Sequence, residues 1–335
     1  MSEQSGTTAE IGADIREMIS AVAAQMGGLL DESSARWVSR PAGKAEIGDA
    51  TLALYVDGVR PSDDVVVLVS NPRHPHVVGE DVEAARRVRS RAGAELGAKI
   101  IVPRVSSEHE GRTYAALPRL HTMPNHRVLR RLARGRVAGC VMAWAAELAA
   151  ESRTPGPADP GEHDRLFLAP LRHVCDDTKA ASDIRSFAER AVALLERRDD
   201  RTGQIAPFTT IEHGDFWVGN VLFDRRRWPG ASALFGGFHL IDWRGVRMDG
   251  YPCADVVRLC YSLWGAQSKR CGPLLAKYRR RLGLTEFEMS LYTVLSLGRL
   301  GMNLDHFPPE RYAALSNNLF ALLGTNGLLQ WPADS

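Results

Sequence analysis

The sequence predicts an α+β protein with two lobes, a small β-rich N-lobe and a larger, mostly helical C-lobe. Runs of β-branched residues separated by turn signals occur between residues 41 and 120, whereas helical spacing dominates after residue 127. The length of 335 residues also exceeds what one minimal core requires. We therefore expect an N-lobe over residues 1–122 and a C-lobe over residues 123–335.

The N-lobe segments follow one another in a regular pattern. Residues 10–30 carry apolar side chains at helical spacing, which predicts an N-terminal helix. Residues 50–58, "ATLALYVDG", and 63–71, "DDVVVLVSN", resemble two strands joined by the turn "DGVRPS", which predicts a hairpin. Residues 79–96 form a helix with an acidic first turn and basic later turns, which suits the helix dipole. Short strands are expected at residues 98–105 and 111–120.

The C-lobe is predicted to be helical around one small hairpin. Long helical patterns occupy residues 127–152 and 181–198, and the pattern is helical again from residue 254 nearly to the end. Two short β-like pieces, 220–224 and 238–243, are separated by a polar, glycine-containing stretch. We expect these two pieces to pair with each other.

Composition narrows the class of protein. The net charge of +2 produces no strong field that would recruit nucleic acid or a membrane surface. Five cysteines without a CxxC pair indicate reduced thiols, and the polar, acidic N-terminus lacks the features of a signal peptide. The longest apolar tract, residues 137–150, is shorter than a membrane span and contains Glu147. A cytoplasmic protein is therefore predicted.

One stretch, "IEHGDFWVGN" at residues 211–220, concentrates polar side chains between apolar ones. Within it lie Asp215 and Asn220, and Asp242 ends the later strand "LIDW". If the hairpin pairs, Asn220 and Asp242 lie at the same end, where two oxygen-bearing side chains could hold Mg²⁺. Asp215 on the adjoining loop could then orient a hydroxyl nucleophile, as phosphoryl transfer requires. An isolated Asp–Asn pair beside a strand usually serves only the turn, so the prediction rests on the combination.

Three motifs resemble one family. "HGDFWVGN" is similar to the HGDxxxxN catalytic-loop signature of the aminoglycoside phosphotransferase and choline kinase family, which has a protein-kinase-like fold. "LIDW" is similar to the metal-binding segment of that family, and "GYPCAD" at residues 250–255 resembles the GxPxxD segment that follows it. The three motifs occur in the family's order, so the resemblance implies a kinase-like fold and phosphate transfer from ATP or GTP to a small hydroxylated acceptor.

The resemblance also implies a role for each matching residue. Asp215 would be the catalytic carboxylate, and Asn220 with Asp242 would hold Mg²⁺ against the nucleotide phosphates. His213 would brace the loop by hydrogen bonding, and Asp255 would tie the following helix to it. The connector "ALPRLH", which includes Leu117 and Arg119, would meet the adenine.

One part of the family pattern is missing. Its members usually carry a lysine on the third strand, paired with a glutamate of the next helix, but the matching strand "VVVLVS" at residues 65–70 has no lysine. The candidates for a replacement base and for the glutamate are Lys44, Lys99, Arg73 and Glu83. Three explanations remain open: another basic residue holds the phosphates, the donor binds differently, or the chain is a catalytically impaired pseudokinase that binds nucleotide as a regulatory module.

The acceptor is predicted from charge. Residues 251–335 contain six acidic and nine basic side chains, a balance that argues against a highly cationic acceptor. We expect a sugar, a nucleoside or an antibiotic-like compound, with Asp249 and Asp305 as candidate contacts. A third reading, a metal-dependent phosphoesterase using His213 and Asp215, would need further metal ligands nearby.

Overall fold

The computed structural model describes residues 11–38, 51–196, 207–225, 228–304 and 307–331. Two of the candidate residues, Lys44 and Asp305, lie outside the described residues. The first half of the chain folds into an antiparallel sheet flanked by helices. Its elements are α1 (Ala13–Gln25), β1 (Leu30–Trp37), β2 (Thr51–Gly58), β3 (Val65–Ser70), α2 (Val77–Arg91), α3 (Gly93–Gly97), β4 (Val105–His109) and β5 (Arg112–Pro118).

The five strands form one sheet in the order β1-β2-β3-β5-β4, and every neighbouring pair is antiparallel. Because side chains alternate along a strand, β3 presents two different faces. Val65, Val67 and Val69 are fully buried in a cluster with the apolar side of α1. Val66 and Leu68 face the other way, where Leu68 packs with α2. Helix α2 covers this face of the sheet and also packs against the core of the second half of the chain.

The second half is mostly helical. Its elements are α4 (Arg127–Glu151), β6 (Thr154–Pro155), α5 (Pro160–His163), α6 (Ala169–Asp176), α7 (Ser182–Glu196), β7 (Phe208–Glu212), β8 (Val221–Phe223), α8 (Pro229–Phe235), β9 (Phe238–Leu240), β10 (Arg247–Gly250), α9 (Ala254–Trp264), α10 (Gly272–Arg281), α11 (Glu286–Met302) and α12 (Pro309–Thr325). A single large apolar core joins α4, α9 and α11 and continues into α2 and α3.

Two short strand pairs carry the loops of interest. The predicted hairpin forms, with Val221 opposite Leu240 in an antiparallel β8–β9 pair. Strand β7 pairs with β10, so Glu212 lies opposite Arg247. The connector after β5 joins this region through two backbone hydrogen bonds between His121 and Phe223. The loops that leave β7 and β9 are therefore anchored on both sides.

The prediction of a strand at residues 98–105 is wrong. Ile100 makes only an isolated bridge to Leu240, and Pro103, which has no N–H to donate, precedes the true start of β4 at Val105. Strands β1, β7 and β10 were not predicted. Strand β1 is largely polar, with one buried residue, Leu30, and β10 spans only Arg247–Gly250. Within the described residues, no helix combines the length and the apolar character needed to cross a membrane.

Candidate active site

Asn220 brings together the two carboxylates that the sequence singled out. Its Nδ2 donates to the main-chain oxygen of Asp215 at 2.9 Å and lies 3.3 Å from the Oδ2 of the same residue. The same nitrogen lies 3.4 Å from Oδ2 of Asp242. Because the bond to a carbonyl requires a donor, Nδ2 is fixed on that side and Oδ1 is the oxygen left for other partners. Residues 22 positions apart along the chain thus meet at one point.

His213 holds the loop from inside. Its Nε2 donates to the carbonyl of Ile241 at 3.0 Å, and its Nδ1 faces the N–H of Asp215 at 3.4 Å. The ring also packs on the indole of Trp243, with centroids 4.3 Å apart. Burial lowers the pKa of His213 to about 4, so the imidazole is neutral near pH 7. A neutral, fully engaged imidazole suits a bracing role rather than proton transfer.

Asp255, at the first turn of α9, accepts two backbone hydrogen bonds from the same loop. The N–H of His213 reaches its Oδ2 at 2.6 Å, and the N–H of Gly214 reaches its Oδ1 at 3.1 Å. Burial and the nearby Glu212 carboxylate raise the pKa of Asp255 to about 7. The side chain therefore ties the helix to the loop, where the motif GxPxxD suggested such a link.

Two backbone positions show why the loops need their particular residues. Gly214 has φ of +80°, and a Cβ at this position would lie 2.3 Å from the carbonyl oxygen of Gly245. Asp242 also has a positive φ, 65°, which is uncommon for a residue with a side chain. Strained backbone of this kind concentrates at functional sites, where the surrounding structure holds it in place.

Arg258 is a contact that the sequence analysis missed. Its guanidinium forms an ion pair with Oδ1 of Asp215, and its Nη1 donates to the carbonyl of Gly214 at 3.0 Å. Arg258 lies three residues after Asp255, so both project from one face of α9 towards the loop. That spacing was the available signal. With Arg258 on Oδ1 and Asn220 near Oδ2, the carboxylate of Asp215 has a defined orientation.

Asp81 is the second residue that the sequence analysis missed, and it corrects the prediction for Glu83. The carboxylate of Asp81, on α2, accepts a hydrogen bond from the backbone N–H of Trp243, directly after Asp242. Glu83 instead lies on the outer side of α2, 65% exposed, in an ion pair with Arg86. Two residues along a helix turn the side chain through about 200°, so only one of the two acids can face the site.

Asp81, Asp215 and Asp242 form what we name the carboxylate cluster. Desolvation in the cleft and the Asp215 charge raise the pKa of Asp242, although the residue is open to solvent on one side. Desolvation and the Asp242 charge raise the pKa of Asp81 to about 6. The nearby Arg244 guanidinium acts in the opposite direction on both groups. The cluster therefore concentrates negative charge that a bound cation would relieve.

The connector after β5 lines a cavity of about 530 Å³ together with Arg225. Leu117 lies opposite Val66 on the α2 face of the sheet. Arg119 stacks over the Tyr55 ring at 4.3 Å and pairs with Asp57 at 3.0 Å. Of the two predicted nucleotide contacts, Arg119 lines this cavity, whereas Leu117 pairs with β3 and is not one of the lining residues.

Of the predicted replacements for the strand lysine, the two that the structure describes, Lys99 and Arg73, are not brought to the carboxylate cluster. The ammonium group of Lys99 lies 5.4 Å from the Phe238 ring centroid, and Lys99 forms no ion pair with a described carboxylate. Arg73 is exposed in the turn that follows β3. On the strand itself, Val66 and Leu68 occupy the face that a lysine would have used.

Asp249, a predicted acceptor contact, is already neutralised by arginines. Nη2 of Arg299 lies 2.7 Å from Oδ1 of Asp249, and Nη1 of Arg299 donates to the Asp249 carbonyl at 2.7 Å. Arg165 approaches the other carboxylate oxygen at 3.8 Å. The structure therefore does not leave Asp249 as a free carboxylate for a cationic group.

The fold and the site together define a class of protein. A β-rich N-lobe adjoins a helical C-lobe, and an Asp–Asn–Asp constellation on C-lobe loops lies beside helix α2 of the N-lobe. This is the architecture of protein-kinase-like phosphotransferases, in which positioning and charge stabilisation do most of the work.

Comparison with protein families places the chain more narrowly. The family model described as "Phosphotransferase enzyme family" (APH) matches residues 55–291. The chain belongs to this family. Family membership supports a phosphotransferase that acts on hydroxyl groups and uses a nucleotide.

Solved structures similar to this chain have low sequence identity to it. A protein assigned as a fructosamine-3-kinase from Haemophilus somnus 129PT is 11% identical, with a TM-score of 0.52 over 95% of this chain and 97% of that one. A thermostable mutant of aminoglycoside phosphotransferase APH(4)-Ia is 16% identical, with a TM-score of 0.49 over 90% of this chain and 97% of that one. An ethanolamine kinase from Plasmodium vivax is 9% identical, with a TM-score of 0.49 over 97% and 93%. No curated protein sequence matches significantly.

The contact between Asp81 and Trp243 yields a prediction with a built-in control. Replacing Asp81 with Ala removes the acceptor for the Trp243 N–H, and we expect phosphate transfer to fall by about tenfold or more because the adjacent Asp242 is displaced. Asp81→Asn retains an oxygen that can accept this hydrogen bond, so this variant should keep most of the wild-type transfer rate. Glu83→Ala removes an exposed acid from the same helix and should stay within about twofold of wild type. An Asp81→Asn variant as slow as Asp81→Ala would contradict the tethering role.

Proposed function

We propose that this protein is a small-molecule kinase that transfers the γ-phosphate of ATP or GTP to a hydroxyl of a sugar, nucleoside or antibiotic-like acceptor. The observation that carries the proposal is the convergence of Asp215, Asn220 and Asp242 at one point, with Asp215 held by Arg258. In this proposal Asp215 orients the acceptor hydroxyl and receives its hydrogen bond.

Mg²⁺ fits the residues that would hold it. Asn220 donates through Nδ2 and so keeps Oδ1 as a neutral oxygen ligand, and Asp242 contributes a carboxylate. Desolvation, and after it the charge of the neighbouring carboxylate, raises the pKa of both Asp242 and Asp81, and a divalent cation would neutralise that charge. Mg²⁺ typically takes one or two protein oxygens and completes its shell with phosphate and water. When bound, it would neutralise the charge of the nucleotide phosphates.

The chain's own residues then set the geometry of the reaction. Arg258 and Asn220 fix the Asp215 carboxylate from two sides, which leaves its remaining lone pairs for the acceptor hydroxyl. Neutral His213 accepts a hydrogen bond from the backbone N–H of Asp215 through Nδ1 and moves no proton in this proposal. This arrangement supplies orientation, which is the main requirement of phosphoryl transfer between two oxygens.

Arg244 is our candidate for the group that meets the donor phosphates in place of the strand lysine. It directly follows Trp243, is exposed, and carries the positive charge that opposes the raised pKa values of Asp81 and Asp242. An arginine can contact phosphate oxygens with two parallel N–H groups, so it can serve the same purpose from a different position.

The acceptor is proposed to be neutral or only weakly cationic. An ammonium-rich acceptor would need unpaired carboxylates to replace its hydration, but Asp249 is engaged by Arg299 and Arg165. A hydroxylated sugar or nucleoside can instead be held by neutral hydrogen-bonding groups.

A second candidate is a pseudokinase that binds nucleotide without transferring phosphate. It is favoured by one observation, the aliphatic side chains of Val66 and Leu68 on the strand face where a phosphate-binding lysine is usual. The two candidates differ in acceptor turnover, because both retain the nucleotide cleft.

Thermal unfolding with nucleotide, followed by transfer assays over a panel of hydroxyl compounds, tests the proposal. ATP or GTP should raise Tm, and Mg²⁺ should increase that rise, since a ligand that binds only the folded state stabilises it. Asp242→Asn should lose the Mg²⁺-dependent part, and Arg244→Gln should weaken nucleotide binding with or without Mg²⁺. Asp249→Asn, outside the carboxylate cluster, is the matched control.

The outcomes separate the candidates. Transfer to at least one panel compound supports the kinase. Nucleotide binding with no transfer to any panel compound supports the pseudokinase instead. If neither nucleotide changes Tm, both proposals fail.

A further inference from the structure

A second cavity, which shares no residue with the carboxylate cluster, is lined almost entirely by arginine. Its volume is about 330 Å³, and its lining residues are Asn125, Arg127, Arg130, Arg131, Arg134 and Arg270. We name it the arginine pocket. Four of the guanidinium groups come from the first two turns of α4, and the fifth comes from the segment between α9 and α10. A pocket built from two separate elements is not a property of one helix alone.

The spacing of the α4 arginines places them on one side of the helix. At about 100° per residue, Arg127, Arg130, Arg131 and Arg134 fall within an arc of about 100°. Arg136, by contrast, points to the opposite side, where it donates to the carbonyls of Ala233 and Gly236 at 3.1 and 3.0 Å. The four pocket arginines are therefore neighbours in space, as i,i+3 and i,i+4 pairs of like charge.

No carboxylate in the part of the chain that the structure describes neutralises these arginines. Among the described residues, none of the five guanidinium groups forms an ion pair with a carboxylate, and Arg130 has only the carbonyl of Pro124 as a partner, at 3.2 Å. The first turn of α4 contains no acidic residue. The positive end of the helix dipole adds to the same field, so the arrangement is unfavourable to the isolated protein.

We propose that the arginine pocket binds clustered phosphate groups, such as those of an oligophosphate. Guanidinium groups match phosphate oxygens with paired N–H donors, and several of them converge on one concave surface. Five positive charges, none of them paired with a carboxylate among the described residues, call for a ligand that carries more than one negative group. The ligand neutralises the repulsion among the arginines and the end of the helix dipole together. The pocket is a binding site additional to the cleft in which phosphate transfer is proposed.

Titration calorimetry with sodium tripolyphosphate, without Mg²⁺ and with EDTA, tests the site. The double variant Arg131→Gln/Arg134→Gln should bind at least about tenfold more weakly than wild type, because it loses two charge-assisted contacts. The matched control Arg87→Gln/Arg280→Gln removes two exposed charges from other helices and should change the affinity by less than about twofold. Equal loss in both double variants would show general attraction to a polyanion and overturn the proposal.

A second arm identifies the source of the phosphates. Val128 and Leu132, beside the arginines, are 57% and 60% exposed, so the same surface could approach lipid headgroups. Sedimentation with phosphatidylcholine vesicles, with and without phosphatidylglycerol, is compared for the same variants. Arginine-dependent binding to tripolyphosphate alone assigns a free oligophosphate, and arginine-dependent binding to the anionic vesicles alone assigns a headgroup.

Stability supplies an independent check. If the arginines serve a ligand, the unliganded Arg131→Gln/Arg134→Gln variant should have an equal or higher Tm than wild type, since it relieves like-charge repulsion. A marked fall in Tm relative to the control variant would show that these arginines stabilise the fold, and would overturn the proposal.

Discussion

Replacing Asp215 with Asn should reduce phosphate transfer by a factor of about 10³ or more while the protein stays folded. The amide has nearly the same shape as the carboxylate. It carries no charge, however, and accepts a weaker hydrogen bond from the substrate hydroxyl. The ion pair with Arg258 is lost as well, so both the proton acceptor and its orientation are weakened. Initial rates of transfer to the acceptor found in the panel give the measurement, and nucleotide-induced Tm shifts show that binding persists.

The control for this variant keeps the Asp215 carboxylate and changes its partner, Arg258. Arg258→Lys retains a positive charge but cannot make both contacts of the guanidinium, so it should slow transfer by about tenfold with little change in nucleotide binding. Full activity in Asp215→Asn would contradict the role proposed for Asp215.

Replacing Gly214 with Ala should destabilise the protein by about 3 kcal/mol or more and remove most of the activity. The added Cβ would lie 2.3 Å from the backbone oxygen of Gly245, and the φ of +80° is unfavourable for any residue with a side chain. The loop must shift to relieve both, and this shift moves the neighbouring Asp215. Urea unfolding gives the change in the free energy of unfolding, and the transfer rate gives the effect on the site.

Gly283 provides a matched control for the backbone effect. It also has a positive φ, 69°, but a Cβ there meets no atom within 4 Å. Gly283→Ala should therefore cost only about 1 kcal/mol and leave the rate almost unchanged. A loss of stability in Gly214→Ala no larger than in Gly283→Ala would show that the contact with Gly245 is unimportant.

Local sequence signals were sufficient for much of the fold. The apolar runs of β2 and β3 and the helical period of α4 and α7 depend on neighbours a few positions apart, and these elements formed as expected. The segment 98–105 failed because its apolar residues serve packing and one isolated bridge rather than a sheet. Strand β10 could not be predicted from local sequence, because its partner, β7, lies 35 residues earlier and supplies the hydrogen bonds that define it.

The candidate site divides in the same way. The motifs identified Asp215, Asn220 and Asp242, which meet, as well as His213 and Asp255, which hold the loop backbone. Arg258 was missed although its spacing from Asp255 was a signal, and Asp81 was missed because nothing adjacent to it in the chain marks which face of α2 turns towards the loop. The choice of Glu83 over Asp81 failed for that reason.

The sequence by itself determined the family, the order of the lobes and the residue types that can orient a hydroxyl and hold Mg²⁺, because each depends on short, contiguous motifs. Only the tertiary structure decided which acid of α2 reaches the site, that Arg258 holds Asp215, that Asp249 is already paired, and that five arginines line one pocket. These are contacts between side chains far apart in the chain, and packing of whole helices and strands sets their distances.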